Sequence, residues 1–146
     1  YHVLELDTDG TKQAEHFINA VGEDLSGRLI PAVEVRLRGL YRLLPPDYYE
    51  AADNLADFCD RIEKQYGVRP VIYCTERTYK NIVVSDSRFN KDKIWYESLF
   101  SKPDEDMDWT FWTYTNRVKF SFYESGEYLH MAVFNGSEVD FKKLII

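Results

Sequence analysis

Short apolar runs alternate along this chain with longer segments in which apolar residues recur every three or four positions. The runs are rich in β-branched and aromatic residues and predict strands at Tyr1–Leu6, Leu29–Val35, Val71–Cys74, Lys93–Glu97 and Asp108–Tyr114. The helical spacing predicts helices over Thr11–Gly22, Pro45–Tyr66 and Thr75–Val83. Strands that alternate with helices are typical of an α/β fold with a mostly parallel sheet.

The last part of the chain departs from this alternation. Lys119–Tyr123 and Tyr128–Phe134 flank the turn Glu124–Glu127 and predict a β-hairpin, and a helical turn is predicted over Glu138–Leu144. No internal repeat, low-complexity segment or shift in composition divides the sequence. We therefore predict a single domain that spans residues 1–146.

The chain is acidic, since 18 Lys and Arg residues oppose 25 Asp and Glu residues and the formal net charge is −7. Duplex DNA and anionic membrane surfaces require a basic face on the protein, so neither a nucleic acid nor a membrane is predicted as a partner. No apolar run approaches the ~20 residues that span a bilayer. The sequence also shows no charged and then apolar leader of the kind that signal peptides have.

The two cysteines, Cys59 and Cys74, are too few for a disulfide framework and lack the paired spacing of a zinc site. Cys59 lies on the apolar stripe of the second predicted helix, which indicates a buried structural thiol. The sequence accordingly predicts neither a metal nor a cofactor.

Several short motifs occur along the chain in a distinctive order. They are Tyr1–Val3, Gln13–Phe17, Ile30–Arg36, Gly67–Tyr73, Trp109–Tyr114 and Val133–Ser137. In this order and at these separations they resemble glycoside hydrolase family 25, the lysozymes, or N-acetylmuramidases, that cleave the glycan strands of peptidoglycan. The resemblance covers essentially the whole chain.

The resemblance implies a flattened, incomplete TIM-like β/α barrel with a C-terminal β-hairpin. Tyr1 matches the third strand of the family, so the first strands of the barrel are expected to be missing. An uncovered edge strand is prone to pair with another chain, and we therefore predict a homo-oligomer, an exchanged element or a sheet rearranged around the hairpin. The resemblance also implies an extracellular or cell-wall location.

Hydrolysis of a glycosidic bond needs one carboxylic acid to protonate the leaving oxygen and a second carboxylate to stabilise the oxocarbenium-like centre. By resemblance, the acids of the family's catalytic strand correspond to Glu34 and Arg36, and Arg36 stands at the position of the general acid. Its guanidinium does not release a proton at neutral pH. A third family carboxylate corresponds to His130, with Ala132 in place of the family's asparagine, and a fourth would precede Tyr1.

These substituted positions also allow structural interpretations. Glu34 and Arg36 share one face of a strand, so an ion pair between them is the favoured interpretation. His130 is expected to be a hydrogen-bonded histidine because it lacks a nucleophile or carboxylate partner at a defined spacing. Glu5 and Glu97, which lie on predicted strands, are the remaining acids that could replace the missing ones.

Five aromatic residues are candidates for binding sugar rings. Tyr1, Tyr73, Trp95, Trp112 and Tyr114 fall on or near the carboxyl ends of predicted strands, where ligands bind to β/α barrels. Aromatic faces at this end could stack on saccharides, whereas the alternative, and the favoured one, is that these rings fill the interior of the sheet.

The sequence supports three hypotheses for function. The first is an inert member of the lysozyme fold that binds peptidoglycan or another glycan, or that serves as an interaction module. The second is an active muramidase whose missing part is supplied elsewhere. The third is a truncation product that folds with the help of a second copy. The substituted acids favour the first hypothesis.

Overall fold

A computed structural model of the chain describes residues 1–120 and 128–146. One six-stranded sheet contains the strands in the order of the sequence: β1 (His2–Val3), β2 (Ala32–Val35), β3 (Val71–Thr75), β4 (Ile94–Glu97), β5 (Phe111–Val118) and β6 (Leu129–Phe134). The first five strands run parallel, and β6 is antiparallel to β5. Within the described ranges β1 and β6 do not pair, so the sheet stays open. The predicted α/β class and the incomplete barrel are confirmed.

Two long helices, α1 (Gly10–Val21) and α2 (Tyr48–Tyr66), and two short ones, α3 (Glu76–Thr78) and α4 (Glu138–Lys142), connect or follow the strands. Both long helices begin at an aspartate cap rather than at the predicted residues. Asp9 accepts a hydrogen bond from the amide of Lys12, and Asp47 accepts one from the amide of Tyr49. No helix in the part of the chain that the structure describes is long and apolar enough to cross a bilayer.

The predicted helix over Thr75–Val83 is α-helical only in α3, and Tyr79–Val83 continue as a π-helical turn. At the other end of α2, Gly67 adopts a left-handed conformation with a φ of 73° and closes the helix, as its position in the sequence predicts.

The core lies between the sheet and the two long helices. Strand residues that point towards the helices, such as Val33, Val35, Ile72 and Cys74, pack with the buried stripe of α2, which consists of Ala51, Ala52, Leu55, Ala56, Phe58, Cys59 and Ile62. Cys59 is fully buried, as predicted, and burial raises the pKa of both thiols. Because strand residues alternate between faces, Glu34, Tyr73 and Trp95 lie on the opposite face of the sheet.

Helices α1 and α2 approach each other closely at Gly10. A Cβ atom at this position would lie 1.8 Å from the carbonyl oxygen of Asn54, so only glycine fits here. The side chain of Asn54 donates a hydrogen bond of 3.0 Å to the carbonyl of Leu6. This contact fixes the segment between β1 and α1 against α2.

The predicted strand Tyr1–Leu6 is shortened to two residues because Gln13 of α1 replaces the sheet partner. The amide of Glu5 donates to Gln13 Oε1 over 2.8 Å, and Gln13 Nε2 donates to the carbonyl of Glu5 over 2.9 Å. Glu5 therefore lies beyond β1, not on a strand as predicted. Whether a second copy pairs with this edge stays a prediction.

The predicted strand Leu29–Val35 is also shorter, because its first residues bind the end of the chain instead of the sheet. The amide of Ile30 donates to the carbonyl of Leu144, and Leu29 forms an isolated bridge with Ile145. Strand β2 begins at Ala32, directly after Pro31, which has no amide hydrogen to donate.

The antiparallel strand pair at the carboxyl end is formed by β5 and β6. Strand β5 starts and ends later than predicted, at Phe111 and Val118, and Lys119 and Phe120 follow it outside any strand. Of the predicted hairpin, residues 121–127 lie outside the described residues. The closing helical turn, α4, ends at Lys142 rather than at Leu144.

Candidate functional site

A cavity of about 670 Å³ lies on the face of the sheet opposite the two long helices. Its size falls in the range of about 300–1,000 Å³ that is typical of small-molecule sites. The lining residues come from β2 to β6 and from the segments beside them: Tyr1, Ala32, Glu34, Arg36, Arg38, Arg42, Tyr73, Trp95, Thr113, His130 and Ala132. Eight residues were predicted from the sequence for the catalytic positions or for sugar binding. Six of them line this cavity: Tyr1, Glu34, Arg36, Tyr73, Trp95 and His130.

Arg36 joins the two carboxylates at the floor of the cavity. Its Nε donates to Glu34 Oε1 over 2.7 Å, and its Nη2 donates to Glu97 Oε2 over 2.6 Å. The Tyr73 hydroxyl donates to the same Glu97 oxygen and accepts a hydrogen bond of 3.2 Å from Arg36 Nη2. The favoured interpretation of Glu34 and Arg36 as an ion pair agrees with this geometry.

Glu34 has a second cationic partner in Arg38. Arg38 Nη2 donates to the same Glu34 oxygen as Arg36 does, over 3.0 Å. The Glu34 side chain is only 9% exposed, whereas that of Arg38 is 54% exposed. Each of the two buried glutamates therefore meets at least one guanidinium, which offsets the cost of removing its charge from water.

The network also sets the protonation states of its members. Burial on its own would raise the pKa of Glu97, but hydrogen bonds from Arg36 and Tyr73 outweigh burial and lower it. Burial and the hydrogen bond to Glu97 raise the pKa of Tyr73. Burial would lower the pKa of Arg36, but the hydrogen bond to Glu97 together with the charges of Glu97, Tyr73 and Glu34 outweighs this effect and raises it. At neutral pH Glu97 is thus an anion, Arg36 a cation and Tyr73 a neutral phenol.

The tyrosine and tryptophan of β3 and β4 form an aromatic wall beside this network. The rings of Tyr73 and Trp95 have centroids 5.0 Å apart, and Phe111 of β5 lies 5.1 Å beyond Trp95. The indole N–H of Trp95 donates to the Thr113 hydroxyl over 2.8 Å. This hydrogen bond fixes the orientation of the indole, and the Trp95 side chain lines the cavity.

Trp112 and Tyr114 do not line the cavity. They alternate with Thr113 on β5 and so point to the other face of the sheet, where the Trp112 indole donates to the carbonyl of Ser98 over 3.0 Å. Their rings contact each other at a centroid distance of 5.7 Å, and Trp112 packs against the core. For Trp112, packing is the interpretation that the geometry supports.

The remaining nominated residues lie at the rim. Tyr1 precedes β1, at the amino end of that strand rather than at the carboxyl end predicted, and is 83% exposed. His130 and Ala132 are exposed on β6. Both line the cavity, which places the His130 imidazole on the same side of the sheet as Glu34.

Sequence analysis did not nominate Arg38 and Arg42. The sequence did contain an indication of Arg38, because Arg36 and Arg38 continue the alternation that starts at Glu34 beyond the end of β2 at Val35. Arg42 ends a 3-10 turn, Gly39–Arg42, and only the folded chain brings this turn to the cavity.

Comparison with known proteins identifies the fold and the family. A family 25 glycosyl hydrolase from Bacillus anthracis superposes with a TM-score of 0.86 and 29% identity, and covers 100% of this chain and 67% of that one. A bacterial lysozyme from Streptomyces coelicolor superposes with a TM-score of 0.78 and 23% identity, and the match covers 99% of this chain and 70% of that one. A muramidase from Acremonium alcalophilum superposes with a TM-score of 0.72 and 21% identity, and the match covers 98% of this chain and 69% of that one.

These structures are longer than this chain, which spans about two thirds of each of them. A comparison with curated proteins found no match. The model of the glycosyl hydrolases family 25, by contrast, matches residues 1–121. The match extends over most of the sequence, and the chain therefore belongs to glycosyl hydrolase family 25.

Proposed function

We propose that this chain binds the glycan strands of the cell wall in the cavity without hydrolysing them. The observation that carries the proposal is the position of Arg36, which bonds to Glu34 and Glu97 at once. A guanidinium stabilises anions but does not protonate a leaving oxygen at neutral pH. The ionised Glu97 does not supply that proton either, because its pKa is lowered.

The aromatic wall supports the binding half of the proposal. Trp95 and Tyr73 present flat, partly exposed surfaces, and Tyr1 offers a third ring at the open rim. Rings of this kind contribute apolar area at little entropic cost, while their polar edges bind protein or ligand groups. The similar chains include a lysozyme and a muramidase, which favours a cell-wall glycan as the ligand and an extracellular or cell-wall location.

The alternative function is an active muramidase whose missing part is supplied by another segment or chain. The two buried carboxylates, Glu34 and Glu97, favour it, since they lie beside a cavity of suitable size. This alternative requires one of them to be protonated during turnover, although Arg36 forms an ion pair with each of them. It predicts cleavage that Glu34→Gln abolishes.

Binding is tested by sedimentation with insoluble peptidoglycan. We expect the chain to be retained, and Trp95→Ala to weaken retention about fivefold, because loss of a ring contact costs about 1 kcal/mol. Tyr1→Ala should weaken retention without affecting the fold, since this ring is exposed. Phe100→Ala, at a fully exposed ring outside the cavity lining, is the matched control. Unchanged retention of both Trp95→Ala and Tyr1→Ala would refute the proposal.

A further inference from the structure

We infer that the cavity selects saccharides that carry an anionic group, a carboxylate or a phosphate, and that Arg42 and Arg38 bind this group. The inference rests on the proposed glycan binding and specifies the class of glycan. It follows from the distribution of charge around the cavity and from the hydrogen-bond donors that remain there without a protein partner.

The charge of the cavity is opposite to that of the chain. Arg36, Arg38 and Arg42 contribute three positive charges, and Glu34 and Glu97 contribute two negative ones, so these five side chains carry a formal charge of 3 − 2 = +1. The whole chain carries −7. A cleft lined by excess charge of one sign concentrates ligands of the other sign, even on a protein of unfavourable net charge.

The three arginines differ in how much of their bonding capacity is used. Arg36 is committed to Glu34 and Glu97 on the cavity floor. Arg38 uses one terminal nitrogen for Glu34, and its side chain is 54% exposed. Within residues 1–120 and 128–146, the guanidinium of Arg42 makes neither a hydrogen bond nor an ion pair. A guanidinium carries five N–H donors, so most donors of the two outer arginines face solvent or ligand.

Arg42 is nevertheless held in place by its backbone. It ends the turn Gly39–Arg42, and its carbonyl accepts a hydrogen bond of 3.2 Å from Arg77 Nη1. A fixed backbone with an unpaired guanidinium at a cavity rim suits ligand binding better than structural support. Guanidinium groups bind carboxylates and phosphates through two parallel hydrogen bonds, which gives both affinity and orientation.

The acidic surface of the chain restricts the ligand further. A polyanion would meet repulsion from the net charge of −7 outside the cavity. A single anionic group on an otherwise neutral saccharide avoids that repulsion, since its sugar rings lie against Tyr73 and Trp95 while the charge meets Arg42. The cavity therefore fits a neutral glycan backbone that bears an isolated negative charge.

The test uses three probes with one backbone: N-acetylchitotetraose, the same tetramer with a single 6-phosphate on its terminal residue, and the same tetramer with that residue oxidised to a uronic acid. Calorimetric titration at low salt should show the charged probes binding about tenfold more tightly than the neutral one. Arg42→Gln should remove most of this preference, whereas Lys64→Gln, an equal loss of charge on the exposed face of α2, should leave it intact.

The outcomes separate this inference from the proposed function. Equal binding of all three probes refutes the anion preference and leaves glycan binding standing. Binding of none of them refutes the anion preference, and sedimentation with peptidoglycan then decides glycan binding separately. A preference that survives in Arg42→Gln refutes the assignment to Arg42. A preference for the phosphate probe alone, or for the carboxylate probe alone, supports the inference and identifies the anion.

Discussion

Arg36→Met is expected to lower the free energy of unfolding by about 3 kcal/mol at neutral pH, because it leaves buried carboxylates without their cation. Glu97 and Glu34 are each 9% exposed at the side chain. Glu34 keeps Arg38 as a partner in the variant, whereas Glu97 keeps, among the described residues, only the Tyr73 hydroxyl as a hydrogen-bond donor. Urea denaturation of the purified chain measures the loss.

The pH dependence identifies the cause. In the folded chain the pKa of Glu97 lies below its ordinary value of 4.5, so its interactions stabilise the fold above that value and lose this effect as the pH falls through the lowered pKa. Arg36→Met removes this contribution, and the two stability curves should converge in acid. The double variant Arg36→Met/Glu97→Gln should recover part of the loss at neutral pH. A difference that is constant with pH would contradict this account.

Arg69→Met is expected to cost a similar amount, about 3 kcal/mol, for a related reason at the edge of the helical layer. Arg69 binds Asp92 through Nε at 2.6 Å and Nη2 at 3.3 Å, and the Asp92 side chain is only 2% exposed. The exposed partners Asp60 and Glu63 contribute less, because solvent screens them. Thermal or urea unfolding of the variant measures the effect.

Here the pH dependence has a different origin. Burial raises the pKa of Asp92 despite Arg69, so the ionised form destabilises the fold as the pH rises through that pKa. Without Arg69 the pKa should rise further, and the variant should lose most stability between acidic and neutral pH. Asp92→Asn in the variant background should restore part of it. Arg88→Met, at an arginine whose partners Asp53 and Asp86 are more exposed, is the control and should cost under about 1 kcal/mol.

The elements that local pattern determines were predicted well from the sequence. Helix α2 has an apolar stripe, an aspartate cap and a closing glycine within 21 residues, 47–67, and its end was predicted correctly. The strand that carries Glu34, with Arg36 directly after its last residue, was predicted from its β-branched and apolar residues. In both cases the residues that decide the structure lie next to one another in the sequence.

The elements that distant residues determine were predicted less well. The length of β1 depends on the amide of Gln13, and the start of β2 depends on the carboxyl-terminal residues that bind Ile30. Neither contact can be predicted from the local pattern of apolar and polar residues. The same holds for the site, since the separation of Trp112 from Trp95 depends on the register between β4 and β5, and Arg42 reaches the cavity only through the fold.

We propose that this family 25 chain keeps the fold of the family without the chemistry that the family resemblance implies. The sheet, the cavity and the aromatic wall are present, while the position expected for the general acid holds Arg36. At that position an arginine binds anions but does not donate a proton at neutral pH. In our proposal, binding at such a site requires only shape and charge, and it survives the loss of the acid.

The release of soluble muropeptides from purified cell walls tests this account most directly. Over a range from acidic to mildly alkaline pH, we predict that the purified chain releases none above the blank, while a hen-type lysozyme added to the same walls releases them. The walls should still retain the chain under these conditions. Release by the chain that Glu34→Gln or Glu97→Gln abolishes would contradict the account and establish the muramidase alternative.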